Sequence, residues 1–161
     1  MPGTPMLKLI EDKMRDLIEG MQGYPYNYAW GNVNERDLAK AKFPQAVIYF
    51  ETENSLDESS GTWAGAYFNE VVFRIEVRAR HDNEKKNPVQ EIHLNLYSCL
   101  DDLKSLFGNY WNLEQQCDTI MYQSTEIEEE GAGDIMVPSK LITRWIVCYE
   151  QDRKTPTQIV Q

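Results

Sequence analysis

Residues 71–80, with the sequence VVFRIEVRAR, carry the clearest structural signal of the chain. Apolar and charged residues alternate along it, so that Phe73, Ile75 and Val77 fall on one side while Glu76 and the arginines fall on the other. Because successive side chains of a strand point to opposite faces, this pattern predicts a β-strand with one face in the core. The other face is predicted to be solvated or to contact a polar partner.

A helix is predicted to follow this strand after a polar turn. Asn87 is a suitable N-cap, Pro88 suits the first helical position, and Gln90 completes the pattern of a capping box. Apolar residues then recur every three or four positions up to Gly108, which is typical of a helix with one buried face. These residues are Val89, Ile92, Leu96, Leu100, Leu103 and Phe107.

A second amphipathic helix is predicted near the beginning of the sequence. Thr4 is expected to cap it, Pro5 to occupy its first helical position, and Gly20 and Gly23 to end it. Its apolar residues follow the same helical spacing. They are Met6, Leu7, Ile10, Met14, Leu17, Ile18 and Met21.

Further strands are predicted at 46–52, 118–127 and 140–149, beside the long strand 66–80. Strand 140–149 carries bulky side chains on both faces, which predicts a central position in the sheet. Residues 24–42 favour a short strand followed by a loop or a helical turn. The expected fold class is therefore α+β, with a single mostly antiparallel sheet and two amphipathic helices packed on one face.

The length and the charge of the chain narrow its possible functions. Its 161 residues fit one domain at 1–150, followed by a flexible C-terminal arm at 151–161. The net charge of −10 argues against sequence-independent binding to a phosphate backbone or to an anionic membrane. No secretory leader or membrane span is expected. Cys99, Cys117 and Cys148 are widely spaced, and we expect them to be reduced and mostly buried.

Candidate catalytic and metal-binding residues are few. His81, His93 and the cysteines lie at no spacing typical of a tetrahedral metal site, and no nucleotide-binding or nucleophile motif occurs. We therefore expect no enzymatic activity, no cofactor and no metal. The enzymatic alternative is a small metal-dependent nuclease that uses Asp57 and Glu76. Cross-strand ion pairing of Glu76 is favoured instead, because Arg78 replaces the lysine that such nucleases carry.

Several segments are predicted to contact other subunits or partners. Tyr and Trp alternate at 24–30 without interleaved Lys or Arg, a pattern that favours a core or an interface over a nucleic-acid stacking platform. The acidic run at 128–130 is expected to be solvated, and the β-prone end of the sequence could pair with a neighbour. The predicted contact residues are Tyr24, Tyr26, Tyr28, Trp30, Trp63, Glu128, Glu129, Glu130, Ile135, Ile159 and Val160.

The order of these segments resembles the tail terminator or tail completion proteins of tailed bacteriophages, which join head and tail. The resemblance covers roughly residues 6–149. It includes the first amphipathic helix, Phe43-Pro44 before an AVIYF strand, the FRIEVRAR strand, the helix that starts at Asn87-Pro88, and two closing strands around a loop.

The resemblance implies a ring-forming virion subunit, commonly in a hexamer, at the head-proximal end of the tail. Its expected partners are identical subunits, the tail tube protein and neck or connector proteins, while DNA passes through the ring without specific binding. The protein would be assembled in the host cytoplasm and lie in the tail or neck of the virion.

Two further interpretations stay open. Segments 24–30 and 53–61 have no counterpart in the resemblance, and a neck or connector adaptor ring fits the same architecture. A free binding module that dimerises through the polar sheet face is the other interpretation.

Overall fold

A single main sheet with two helices on one side organises the chain. The computed structural model describes residues 3–23, 26–27, 29–30, 45–55, 66–78, 88–129 and 139–152. The elements within them are, in order, α1 (Met6–Glu19), β1 (Gln22–Gly23), β2 (Tyr26–Asn27), β3 (Ala29–Trp30), β4 (Gln45–Ser55), β5 (Ala66–Arg78), α2 (Pro88–Asn109), β6 (Thr119–Glu129) and β7 (Ser139–Asp152).

The main sheet has the strand order β3-β4-β5-β7-β6. All neighbours pair antiparallel except β3, which pairs with the start of β4 in parallel through two residues. A separate two-stranded hairpin joins β1 to β2. The α+β prediction with one sheet is confirmed, and β7 is central, between β5 and β6. The short strand predicted within 24–42 corresponds to β2 and β3, whereas 31–42 lies outside the described residues.

Both helices pack on the same face of this sheet. Helix α2 lies against β5, β6 and β7, while α1 lies against β3, β4 and α2. Alternation and helical spacing determine which residues meet there, since each element directs one apolar row towards the others. The buried residues of this core are Met6, Ile10, Met14, Ile18, Ala46, Ile48, Val71, Phe73, Ile75, Val77, Leu96, Cys99, Leu103, Phe107, Leu113, Cys117, Ile120, Leu141, Trp145, Val147 and Tyr149.

The predicted start of the first helix needs correction. Pro5 is the N-cap of α1 rather than its first helical residue, and no side chain caps this end, so the role expected of Thr4 is wrong. The reason is that the Pro5 carbonyl already accepts the Leu9 amide at 3.1 Å, which places the first turn one residue later. At the other end Gly20 caps the helix in an ordinary right-handed conformation.

The arm predicted at 151–161 is wrong for its first two residues, which belong to the sheet. Strand β7 continues through Asp152, because Gln151 and Asp152 pair with Tyr67 and Ala66 on β5. The Asn69 amide also donates to the Gln151 side chain at 3.1 Å. The sheet therefore includes the first two residues of the predicted arm, and 153–161 lies outside the described residues.

The connection from α2 to β6 contains a left-handed turn that the sequence analysis did not predict. Leu113, Glu114 and Gln115 have φ values of 50°, 54° and 73°. Such values are costly for residues with a Cβ. Burial of Leu113 in the core and an ion pair between Glu114 and Lys13 of α1 hold the turn in place.

We expect Gln115→Gly to raise the free energy of unfolding by about 0.5–1 kcal/mol, because glycine adopts a positive φ without strain. Gln115 is exposed, so the change removes no buried contact. Urea unfolding would measure the effect. Gln116→Gly, outside the positive-φ run, is the matched control and should lower stability by about 0.5–1 kcal/mol. Equal losses of stability in both variants would contradict the backbone strain inferred at Gln115.

Candidate contact surfaces

The sheet face opposite the helices carries a chain of ion pairs, which we call the polar-face network. Its members come from four neighbouring strands because alternate residues of paired strands share one face. They are Glu51 on β4, Arg74 and Glu76 on β5, Lys140 and Arg144 on β7, and Glu126 and Glu128 on β6. The charged face predicted for strand 71–80 is thereby part of a network that spans the sheet.

Glu76 lies at the centre of the polar-face network and is only 7% exposed. Its carboxylate oxygens lie 2.7 Å from the Lys140 Nζ and 3.6 Å from the Arg74 Nε. Lys140 also lies 3.6 Å from a carboxylate oxygen of Glu128. Glu76 is therefore buried rather than solvated, and two cations compensate its charge, in agreement with the ion-pair interpretation.

Arg144 connects the other half of the polar-face network. Its Nε lies 3.2 Å from each carboxylate oxygen of Glu51, and its terminal nitrogen lies 3.5 Å from Glu126. Arg74 reaches the same Glu51 at 3.4 Å and stacks over the Tyr49 ring at 4.8 Å. Two arginines thus share one carboxylate, which ties β4 to β5 and β7 on this face.

The proposed nuclease pair is not brought together by any described contact. Asp57 lies outside the described residues, and Glu76 is occupied by the two cations. Across the described ranges, no group of three or more His, Cys, Asp or Glu side chains has the arrangement needed to hold a metal ion.

Titratable groups cluster where β6 and β7 meet the α2–β6 loop. Burial raises the pKa of Asp118, and burial together with the charge of Asp118 raises the pKa of Glu150. Burial also raises the pKa of Cys117 to about 12, and burial with the charges of Glu70 and Asp118 raises the pKa of Cys148. All three thiols are free, as predicted. The raised pKa values of Cys117 and Cys148 keep these two protonated at neutral pH, so they are poor nucleophiles.

One edge of the antiparallel strands exposes an aromatic pair on β4, Tyr49 and Phe50, which we call the β4 patch. Phe50 is 52% exposed, and its ring packs edge-on against the buried Phe73 with centroids 6.4 Å apart. Tyr49 points to the opposite face, beneath the Arg74 guanidinium. Both rings are therefore held in fixed positions although they are accessible to a partner.

The opposite edge exposes a second group, Tyr110, Trp111, Met121 and Tyr122, which we call the β6 patch. Trp111 is 57% exposed, while its carbonyl accepts the Ile120 amide at 2.8 Å and so fixes the loop against β6. The Tyr122 ring packs on Trp145 at 5.5 Å.

The two patches combine residues that sequence analysis treated only as strand or loop residues. Phe50 and Tyr122 lie on the helix-bearing face of their strands, where alternation predicts burial. They stay exposed because β4 and β6 lie near the edges of the sheet. Alternation identifies a face of a strand but does not tell an edge strand from a central one, so no sequence signal separated these residues from the core.

None of the predicted contact residues belongs to these patches. Glu128 is exposed on β6, Glu129 ends β6, and the backbones of Tyr26 and Trp30 lie in β2 and β3. The remaining ones lie outside the described residues: Tyr24, Tyr28, Trp63, Glu130, Ile135, Ile159 and Val160. The backbones of these four residues lie in three different strands, β2, β3 and β6.

Comparison with known proteins assigns no family. No described helix has the length and the apolar character that a membrane crossing requires. No protein-family model matches the sequence, and no curated protein matches it.

Proposed function

We propose that this protein is a structural virion subunit, a tail terminator or tail completion protein of a tailed bacteriophage. It assembles into a ring at the head-proximal end of the tail and joins the tail to the neck. The proposal is supported by the α+β architecture expected from the resemblance and by the contact surfaces at the margins of the sheet.

The observation that carries the proposal is the position of the two exposed patches. The β4 patch and the β6 patch lie at opposite edges of the four antiparallel strands, and they differ in composition. A contact between two different surfaces of identical subunits is heterologous, and such contacts close into rings when the rotation between subunits permits it. Exposed aromatic residues on fixed backbone are suitable anchors for such a contact.

An isologous dimer through the polar face is the competing arrangement, and it would behave differently. It would bury the polar-face network of both copies against each other, and neither edge patch would be needed. The two arrangements are therefore separated by substitutions at the patches.

We expect Phe50→Asp and Trp111→Asp each to abolish ring formation, because each leaves one charged residue in a contact that excludes water. Electron microscopy and sedimentation velocity of the purified protein would show rings for the wild type only. An equimolar mixture of the two variants should recover dimers but no rings, since one intact β4 patch then meets one intact β6 patch.

Leu94→Asp is the matched control, because Leu94 is exposed on α2 and belongs to neither patch. Circular dichroism would verify that all three variants fold. Rings that survive either patch substitution, or a wild-type dimer that neither substitution affects, would overturn the heterologous ring.

A further inference from the structure

Strand β6 pairs with β7 along one side, and within the described ranges no strand pairs along its other side, which we call the free edge. In the part of the chain that the structure describes, this edge is covered at the start of β6, where the Ile120 amide donates to the Trp111 carbonyl. Alternate residues of an edge strand direct their backbone N–H and C=O groups outward, so Tyr122 does so after Ile120. The bulge at Gln123 shifts this alternation by one residue, so Thr125 and Ile127 are the next residues whose backbone groups point outward.

The charge beside this edge disfavours pairing of β6 with another copy of itself. Glu126 and Glu128 are exposed on β6, and the next residue, Glu129, is also acidic. Registers that pair these halves of two β6 strands would place carboxylates opposite each other, which is destabilising. An extended segment with basic residues is the complementary partner.

Residues 153–161, RKTPTQIVQ, have that composition. Arg153 and Lys154 supply the positive charge, and Thr, Ile and Val favour extended structure. The segment follows Asp152, the last residue of β7, and nine residues span about 30 Å when extended. Pro156 has no amide proton, so it fits an added strand only where the amide points away from the ladder. Thr157 and Ile159 then direct their amides towards the acceptor, and Gln158 directs its amide away.

We propose that residues 153–161 of one copy pair, as an added strand, with the free edge of β6 in a second copy. The contact joins two different surfaces, so it is heterologous and rests on the proposed ring function. The start of β6 lies beside the end of β7, and the α2–β6 loop is already bonded there, because the Trp111 carbonyl accepts the Ile120 amide. This hydrogen bond disfavours pairing of the segment with β6 of its own chain.

The test uses the full chain and exploits the alternation that Pro156 imposes. We expect Ile159→Pro to weaken self-association by about tenfold or more in sedimentation velocity, because it removes an amide that donates to β6. Gln158→Pro, the matched control, should stay within about twofold of the wild type. Ile159→Ala keeps the amide, and its smaller loss measures the contribution of the side chain alone.

Residue-level hydrogen exchange locates the acceptor. In the wild type, the amides of Tyr122, Thr125 and Ile127 should become protected as the concentration rises, and Ile159→Pro should remove this protection. Concentration-independent protection would mean pairing within one chain and would overturn the inference. Equal effects of Ile159→Pro and Gln158→Pro, or protection elsewhere, would also overturn it. Rings that still form in Ile159→Pro would contradict the added strand but not the ring function. Wild-type dimers with protected β6 amides but no ring would support the added strand and contradict the ring function.

Discussion

Trp145→Ala is expected to lower the free energy of unfolding by about 3–5 kcal/mol, because it empties the centre of the core. Trp145 is 2% exposed and lies on the central strand β7, where its ring packs on Phe107 with centroids 4.8 Å apart. Its indole N–H donates to the Thr143 hydroxyl at 2.8 Å, and this hydroxyl donates in turn to the Ile75 carbonyl at 3.1 Å. The substitution therefore removes aromatic packing and one partner of a buried hydrogen-bond chain.

Urea unfolding would measure this loss, and Trp111→Ala supplies a control of identical chemistry. Trp111 is 57% exposed, and its hydrogen bond to β6 uses the backbone carbonyl, which the substitution keeps. Its replacement should change the stability of the monomer by less than about 0.5 kcal/mol. Comparable losses in both variants would show that Trp145 does not lie at the centre of the core. Self-association should respond in the opposite order, since only Trp111 belongs to the β6 patch.

Glu76→Gln is expected to lower the free energy of unfolding by about 2–4 kcal/mol, because it removes the closest negative charge from a nearly buried lysine. The Lys140 ammonium then still has an ion pair with Glu128, which is more distant and more exposed. Glu128→Gln is the matched control on the same lysine. Its effect should stay below about 1 kcal/mol, because water screens exposed ion pairs.

A double-mutant cycle with Lys140→Met would isolate the pair. The double variant should recover part of the loss, since the pair leaves no uncompensated buried charge and the Glu128 carboxylate is exposed to water. Additive effects of the two single changes would contradict direct coupling between Glu76 and Lys140. The expected loss of stability also bears on the nuclease alternative. Because Glu76→Gln weakens the fold, a loss of cleavage in this variant would count as catalytic only if unfolding measurements showed the protein to be folded under the assay conditions.

Local sequence patterns were sufficient to predict the two helices and the four long strands of this fold. The alternation of Phe73, Ile75 and Val77 with charged residues identified β5 and its core face, and all three side chains are buried. The spacing of Leu96, Leu103 and Phe107 identified α2 in the same way. Such patterns are readable because strand and helix periods follow from backbone geometry, which is the same in every protein. Bulk on both faces of 140–149 even predicted the central place of β7.

The candidate site was far less predictable, because it depends on which strands lie next to each other. The order β4-β5-β7-β6 brings Glu76 to Lys140 across 64 residues of sequence and thereby buries a carboxylate expected to be solvated. The same order places Phe50 and Tyr122 near the two edges, where their core-facing side chains stay exposed. The left-handed turn at 113–115 is held by the core burial of Leu113 and by Lys13 on the first helix.

The fold class, the two helices and the faces of the long strands were predictable from the sequence, since these features follow from the periods of helices and strands. The accessible aromatic residues, the paired charges and the edge of β6 that no described strand covers became visible only once the strand order was known. Exposure and electrostatic compensation depend on neighbours in space, and the neighbours here come from strands far apart in the chain.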